Sequence, residues 1–246
     1  FCLSRGLGDV YKRQGKCMVK SGAEISYNSV TAASGIRTFG GGIYVEADSG
    51  KQGELKLEGV SGKPVRIHHN EATHGGGIYV TGTVSMQYTE IKDCTAKYGG
   101  GMYLLNNANV TMGDNSEIAS CSITESSGGG GGVYVKASAG KTVTFTMKGN
   151  ARVTPSINSE KNTPGKNDIY LESGTTIKLE GTLNPAGGAA ARITPQVYGT
   201  DKYVLSGDLG LGTPANYTKF TVTPQRLTGG STQNWEINNQ GNLKKR

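Results

Sequence analysis

Gly75-Gly76-Gly77-Ile78-Tyr79-Val80 decides the fold, because this phrase returns along the chain. It recurs as Gly40-Gly41-Gly42-Ile43-Tyr44-Val45, Gly99-Gly100-Gly101-Met102-Tyr103-Leu104 and Gly130-Gly131-Gly132-Val133-Tyr134-Val135, and in altered form as Asn167-Asp168-Ile169-Tyr170-Leu171. The tyrosines at 44, 79, 103, 134 and 170 are 35, 24, 31 and 36 residues apart. A bare unit of 24 residues with insertions tolerated in the other copies is the signature of a stacked solenoid.

Each unit divides into three short strands. The first is the Ile-Tyr-Val segment. The second alternates apolar and polar residues, as in Glu54-Leu55-Lys56-Leu57-Glu58, Thr83-Val84-Ser85-Met86-Gln87, Asn109-Val110-Thr111-Met112, Thr142-Val143-Thr144-Phe145-Thr146-Met147 and Thr176-Ile177-Lys178-Leu179-Glu180. A period of two sends one face inward and the other outward. The third places an apolar residue three positions before a small polar or sulfur side chain: Ile25 and Asn28, Ile67 and Asn70, Ile91 and Cys94, Ile118 and Cys121, with Val153 and Ser156 as a weaker echo.

Three strands per turn, stacked on themselves, predict an all-β, single-stranded parallel β-helix of about five to six turns over residues 15–192. Stacking is expected to bury Ile43 under Ile78, Met102, Val133 and Ile169, and Leu55 under Val84, Val110, Val143 and Ile177. Asn28 and Asn70, if inward, are expected to form an amide ladder that Cys94 and Cys121 continue. The glycine triplets precede a strand, where the chain must turn sharply and pass close to the next turn. A phosphate-cradling loop would need a helix after it instead.

Residues 193–246 lose the phrase and read as separate strands, Lys202-Tyr203-Val204-Leu205, Lys219-Phe220-Thr221-Val222-Thr223 and Asn234-Trp235-Glu236-Ile237, divided by Gly and Pro turns. An open last turn is an aggregation-prone edge, so a C-terminal β cap is expected here, with Trp235 and Phe220 over the end of the core.

Residues 1–14 share nothing with the repeats. Within them, Ser4-Arg5-Gly6-Leu7-Gly8-Asp9-Val10-Tyr11-Lys12-Arg13-Gln14 resembles one reading frame of a transposase-type sequencing-library adapter translated as protein. The segment is therefore set aside as an expected artefact. The chain is expected to begin near Gly15, inside an open reading frame whose true N-terminus lies upstream.

Setting aside three bases and one acid in that segment takes the formal charge from +7 to +5, and Lys244, Lys245 and Arg246 at the chain end supply three of those. The remainder carries no basic stripe of the kind a phosphate backbone requires, so no nucleic-acid partner is expected. No apolar run approaches the length of a membrane helix, and no set of amphipathic strands builds a barrel, so no membrane insertion by this chain is expected.

Glycine, at 39 of 246 residues, far exceeds ordinary usage, yet the apolar residues recur at fixed places, so the glycines punctuate a fold. Apart from Cys2, the cysteines are Cys17, Cys94 and Cys121, with no Cys-x-x-Cys pair. Cys94 and Cys121 hold equivalent places in neighbouring units, whose spacing allows either a disulfide or two small buried thiols.

Over about residues 16–192 these features resemble the polymorphic outer membrane protein repeat, with its Gly-Gly-Ala/Gly-Ile-Tyr phrase, and the glycine-rich β-helix repeats of bacterial surface proteins. The resemblance implies a right-handed helix and a secreted, surface-displayed passenger, often adhesive or antigenic. Two departures stand out. The family's second phrase, an aromatic followed two residues on by Asn, is Ile-x-x-Asn or Ile-x-x-Cys here, and no autotransporter barrel follows the repeats in these residues.

The resulting expectation is a monomeric, non-catalytic module on a bacterial surface, outer-membrane-associated or extracellular, that binds a host or neighbouring-cell glycan or protein. The candidate site is the column Tyr44, Tyr79, Tyr103, Tyr134 and Tyr170, whose rings should form one outward stripe if the flanking aliphatics point inward. The competing reading of the column is structural, as tyrosines pairing along the stack.

One alternative function is a carbohydrate-active enzyme of the polysaccharide lyase or glycoside hydrolase kind; another is a stalk presenting an N-terminal domain. The enzyme is disfavoured because Asp48, Asp93, Asp114, Asp168, Asp201 and Asp208 occupy different places in their units. His68, His69 and His74 with Glu71 read as a polar strand end and turn, since neighbours on a strand face opposite ways. No metal or cofactor is expected.

Overall fold

The computed structural model describes residues 10–12, 15–30, 36–48 and 51–246. The chain is a parallel β-helix. Its first sheet stacks Val10–Lys12, Ile43–Val45, Ile78–Val80, Met102–Leu105, Val133–Lys136, Ile169–Leu171, Ala191–Pro195 and Phe220–Val222. The second stacks Gly15–Lys20, Lys51–Glu58, Thr83–Gln87, Asn109–Met112, Thr144–Lys148, Ile177–Glu180 and Leu205–Gly207. The third holds Glu24–Ser26, Val65–His68, Thr89–Lys92, Glu117–Ala119 and Arg152–Val153. A fourth strip, absent from the three-strand expectation, holds Glu71–His74, Thr95–Tyr98 and Ser122–Ile123 and leads into the glycine triplets.

Register follows the repeated phrase. Ile43, Ile78, Met102, Val133, Ile169 and Ile193 pair in sequence up the first sheet. Ile25, Ile67, Ile91, Ile118 and Val153 do so in the third. These residues are buried in one continuous core, and full burial of each such side chain contributes roughly 1.5 to 3 kcal/mol.

In the second sheet the column over Leu55, Val84 and Val110 continues through Phe145, whereas Val143 was expected. Residues 143 and 145 share a face, so alternation alone leaves a two-residue slip open. The larger ring takes the fully buried place, and Val143 is only partly buried.

The stack also runs further than the five to six turns expected. Ile193 and Val222 extend the first sheet and Leu205 the second, so parallel pairing passes residue 192. There the glycine phrase is replaced by buried Ala190 and Ala191, and Thr194 stands in register with Tyr170. Beyond these strands the stack gives way to antiparallel pairs of Gln225–Arg226 with Thr232–Gln233 and of Trp235–Ile237 with Leu243–Lys245. Phe220, Trp235 and Ile237 all join the main core.

The three glycines of a triplet serve different needs. The first, such as Gly75 at φ 65°, takes a left-handed conformation open to glycine at little cost. The second has no such torsion, but a Cβ on Gly76 would lie 2.6 Å from the Gly100 carbonyl oxygen on the next rung. Backbones of adjacent rungs touch here, which leaves no room for a side chain.

The amide ladder is present. Asn28 donates through both its backbone N–H and its side-chain Nδ2 to Asn70 Oδ1, at 3.0 Å each, and Asn70 Nδ2 donates to the Ile25 carbonyl at 2.9 Å. Cys94 and Cys121 continue the column as free, buried thiols. The next rung is filled by Asn167 instead of Ser156. Asn167 Oδ1 accepts from the Cys121 N–H at 3.1 Å, and its Nδ2 donates to the Ile118 and Thr154 carbonyls. Asn167 of the degenerate phrase thus supplies the amide that Asn70 supplies three rungs earlier.

On the outer faces, Lys20 pairs with Glu58, Arg66 with Glu90 and Lys148 with Glu180 across adjacent rungs. Exposed pairs contribute about 0 to 1 kcal/mol each, so their main effect is to favour this register over a slipped one.

Candidate functional site

The first sheet brings the five tyrosines into one column, as the spacing required. Ring centroids of Tyr44, Tyr79, Tyr103, Tyr134 and Tyr170 follow one another at 5.0, 5.4, 5.1 and 4.8 Å, with planes within 18° of parallel. The rings leave the main core but do not form an exposed stripe. Tyr79, Tyr103 and Tyr134 retain 5 to 7% of their accessible surface, and only Tyr44 and Tyr170 at the ends are half-buried.

A second aromatic column covers them. Phe39, His74 and Tyr98 each stand five residues before a tyrosine of the phrase, in the strip that enters the glycine triplet. Each packs over the tyrosine of the following rung: Phe39 on Tyr79 at 4.8 Å, His74 on Tyr103 at 5.0 Å, Tyr98 on Tyr134 at 5.4 Å. The fourth place in this series is Gly129. It adds no ring, and its Cβ position lies 3.0 Å from the Tyr170 ring, so Tyr170 stays partly open.

Burial pushes the Tyr79 phenol up to about 12 and raises Tyr103 and Tyr134 further. Burial lowers His74 to about 4, helped by the Arg37 charge, so it sits as a neutral ring. Tyr134 Oη donates to Glu172 Oε1 at 2.7 Å, and Lys136 Nζ donates to the same oxygen at 2.9 Å. The tyrosine column is thus a second, smaller core, with its rings engaged by one another.

An accessible recess lies beyond the open end of that column. Leu171 and Pro195 pair in register, and after each the chain leaves the first sheet in a loop, 172–176 on one rung and 196–204 on the next. Between these loops is a groove of about 330 Å³. Its wall includes Glu172, Gln196, Val197, Asp201, Lys202 and Tyr203. The Tyr203 backbone is bridged to Asn242, and Leu243 N–H donates to the Lys202 carbonyl at 2.9 Å, so the cap holds this loop. The Tyr203 side chain remains 61% exposed. Gln196 Oε1 accepts from the Ser173 N–H at 2.9 Å, which ties the two loops together.

The groove combines one exposed aromatic ring with amide, carboxylate and ammonium groups. Its acidic side chains are already engaged: Glu172 as above, and Asp201 by Lys202 Nζ at 2.6 Å. That hydrogen bond holds the Asp201 carboxyl below the ordinary carboxylate range, whereas a glycosidase acid needs the opposite shift.

No protein-family profile, curated protein or solved structure matches the chain.

The three histidines do not share a place. His74 is in the aromatic layer, while His68 and His69 meet on the outside, with their Nδ1 atoms 2.8 Å apart. The expectation that they face opposite ways holds only within a strand. Val65–His68 ends at His68, and His69 adopts φ 54°, which swings its ring back beside its neighbour. Among the described residues no three of His, Cys, Asp and Glu converge on a metal position, and no helix is long and apolar enough to cross a membrane.

Asp168, the other polar residue of the degenerate phrase, is fully buried. It accepts from the Gly131 N–H at 2.8 Å and from Thr194 Oγ1, whose hydroxyl also meets Thr223. Buried Arg192 donates to the carbonyls of Glu160, Thr163 and Lys166 and ties down the loop around the short 3₁₀ helix Asn158–Glu160. These charges serve the interior and reach no solvent-exposed recess.

Proposed function

We propose that this β-helix is a non-catalytic binding module, adhesin-like, displayed on a bacterial surface or secreted, and that it takes a glycan of a host or neighbouring cell at the groove between residues 172–176 and 196–204. The observation that carries this reading is the exposed Tyr203 ring beside Gln196, Asp201 and Lys202. An aromatic face covers the apolar face of a sugar ring, while neighbouring amide, carboxylate and ammonium groups bond its hydroxyls. The surface location rests on the resemblance of the glycine-rich phrase to the outer membrane protein repeat.

The tyrosine column supports the site indirectly. Its stacked rings hold the strands rigid up to Tyr170, and the Tyr134–Glu172 hydrogen bond fixes one lip of the groove. The test is binding of the chain to an immobilised glycan panel and to cells, with Tyr203→Ala beside the wild type. Retained folding with at least tenfold weaker binding in the variant supports the reading. Equal binding by the variant, no binding by the wild type, or cleavage of a bound polysaccharide would overturn it.

A further inference from the structure

We propose that His68 and His69 form a two-imidazole chelate for a divalent first-row cation, copper(II) or nickel(II), with water completing the coordination. The site lies at the corner between the third sheet and the fourth strip, away from the Tyr203 groove, and does not depend on the glycan reading.

The geometry brings two donor nitrogens side by side, joined by a hydrogen bond. Two nitrogens each about 2.0 Å from one ion are roughly 2.8 Å apart at a right angle and roughly 3.3 Å apart at a tetrahedral angle. The observed separation is 2.8 Å, with ring planes at 82°. A right-angled pair of imidazoles belongs to the tetragonal environments of copper(II) and nickel(II), while zinc favours the wider angle. Turning each ring by about 45° about its soft outer torsion takes the nitrogens off the hydrogen-bond line and aims both lone pairs at one ion.

The second nitrogen of His68 is already committed. Its Nε2 lies 3.0 Å from Glu24 Oε1, and Glu24 also accepts from Ser26 Oγ at 3.1 Å. With its proton on Nε2, His68 offers a bare Nδ1, the arrangement a carboxylate imposes on metal-bound histidines.

With the Nδ1 of His68 bare, the proton of the contact belongs to His69, whose Nδ1 donates to His68. Binding moves that proton to the exposed Nε2, so the imidazole stays neutral and loses no net proton. The Tyr27 ring stacks on His69 at 4.7 Å and 18° and limits its motion, and solvent reaches the open side.

The experiment titrates the full chain with copper(II) and with nickel(II) by calorimetry, and records the copper(II) paramagnetic resonance spectrum. One equivalent bound, with a two-nitrogen hyperfine pattern, is expected, in the affinity order copper, nickel, zinc. His68→Ala and His69→Asn should each weaken binding at least tenfold; asparagine tolerates the left-handed torsion at residue 69 and keeps the corner folded. Glu24→Gln should weaken it about tenfold through loss of the held tautomer, and His74→Phe should leave it unchanged. No saturable binding, unchanged affinity in folded His69→Asn, or loss of binding in His74→Phe would overturn the proposal.

Discussion

The His74 ring lies edge-on against Tyr103, one rung further along the stack, with centroids 5.0 Å apart and planes at 84°. Tyr98, in register with His74 on the next rung, packs against the same imidazole at 5.1 Å. A histidine in this place must stay neutral, because a buried imidazolium would have lost its water with no carboxylate to pair it. Its Nδ1 has no hydrogen-bond partner.

That arrangement makes stability depend on pH. The unfolded chain takes up a proton at His74 near pH 6.5, the folded chain only near 4, so the unfolded state binds more protons in between. The contribution is complete above pH 6.5 and lost as the pH falls to 4, by about 2 to 3 kcal/mol. His74→Phe keeps a ring in the layer and removes the titration. Melting profiles of the two proteins should diverge below pH 6.5, with the variant the more acid-resistant; parallel profiles would refute the assignment.

The two kinds of tyrosine should separate in mutagenesis. Tyr103→Ala removes a ring held between Tyr79, Tyr134 and His74 and should cost about 3 to 5 kcal/mol in denaturant unfolding. Tyr203→Ala removes an exposed ring and should change stability by about 0.5 kcal/mol or less. If Tyr103→Ala were as stable as the wild type, the column would not be the second core described above.

Close approach and left-handed torsion can also be told apart. Gly62 has φ 76° and open space around its Cβ position, so Gly62→Ala should cost about 1 to 2 kcal/mol for the torsion alone. Gly100 has an ordinary torsion, but a Cβ there would lie 2.5 Å from the carbonyl oxygens of Gly131 and Ser122. Gly100→Ala should therefore be the more damaging, lowering the melting temperature well beyond Gly62→Ala or abolishing folding. Equal melting temperatures would show that adjacent rungs can separate at no cost.

Much of the architecture was legible because each unit repeats the same contacts. Ile43, Ile78, Met102, Val133 and Ile169 fall into register from the phrase alone, and Asn28 and Asn70 meet as their common offset from Ile25 and Ile67 requires. The reading was weaker where the phrase decays. Asn167 and Asp168 look like erosion of a glycine triplet, yet one caps the amide column and the other anchors Thr194. Ala190 and Ala191 conceal a further rung. The signal for the second aromatic column was present in Phe39, His74 and Tyr98, each five residues before a tyrosine. It is diluted by chemistry, since three different side chains and then Gly129 occupy one geometric place.

By itself the sequence determined the parallel stack, the register of its first sheet and the alignment of five tyrosines, because the repeated phrase fixes a solenoid's neighbours; in the second sheet, alternation left the choice between Val143 and Phe145 to packing. Only the tertiary structure decided whether those tyrosines face solvent. Burial on the outer face of a strand depends on what the preceding corner folds over it, and that corner comes from the rung before. The same holds for His68 and His69. Their meeting depends on one left-handed residue at a corner, a backbone choice that composition and periodicity leave open.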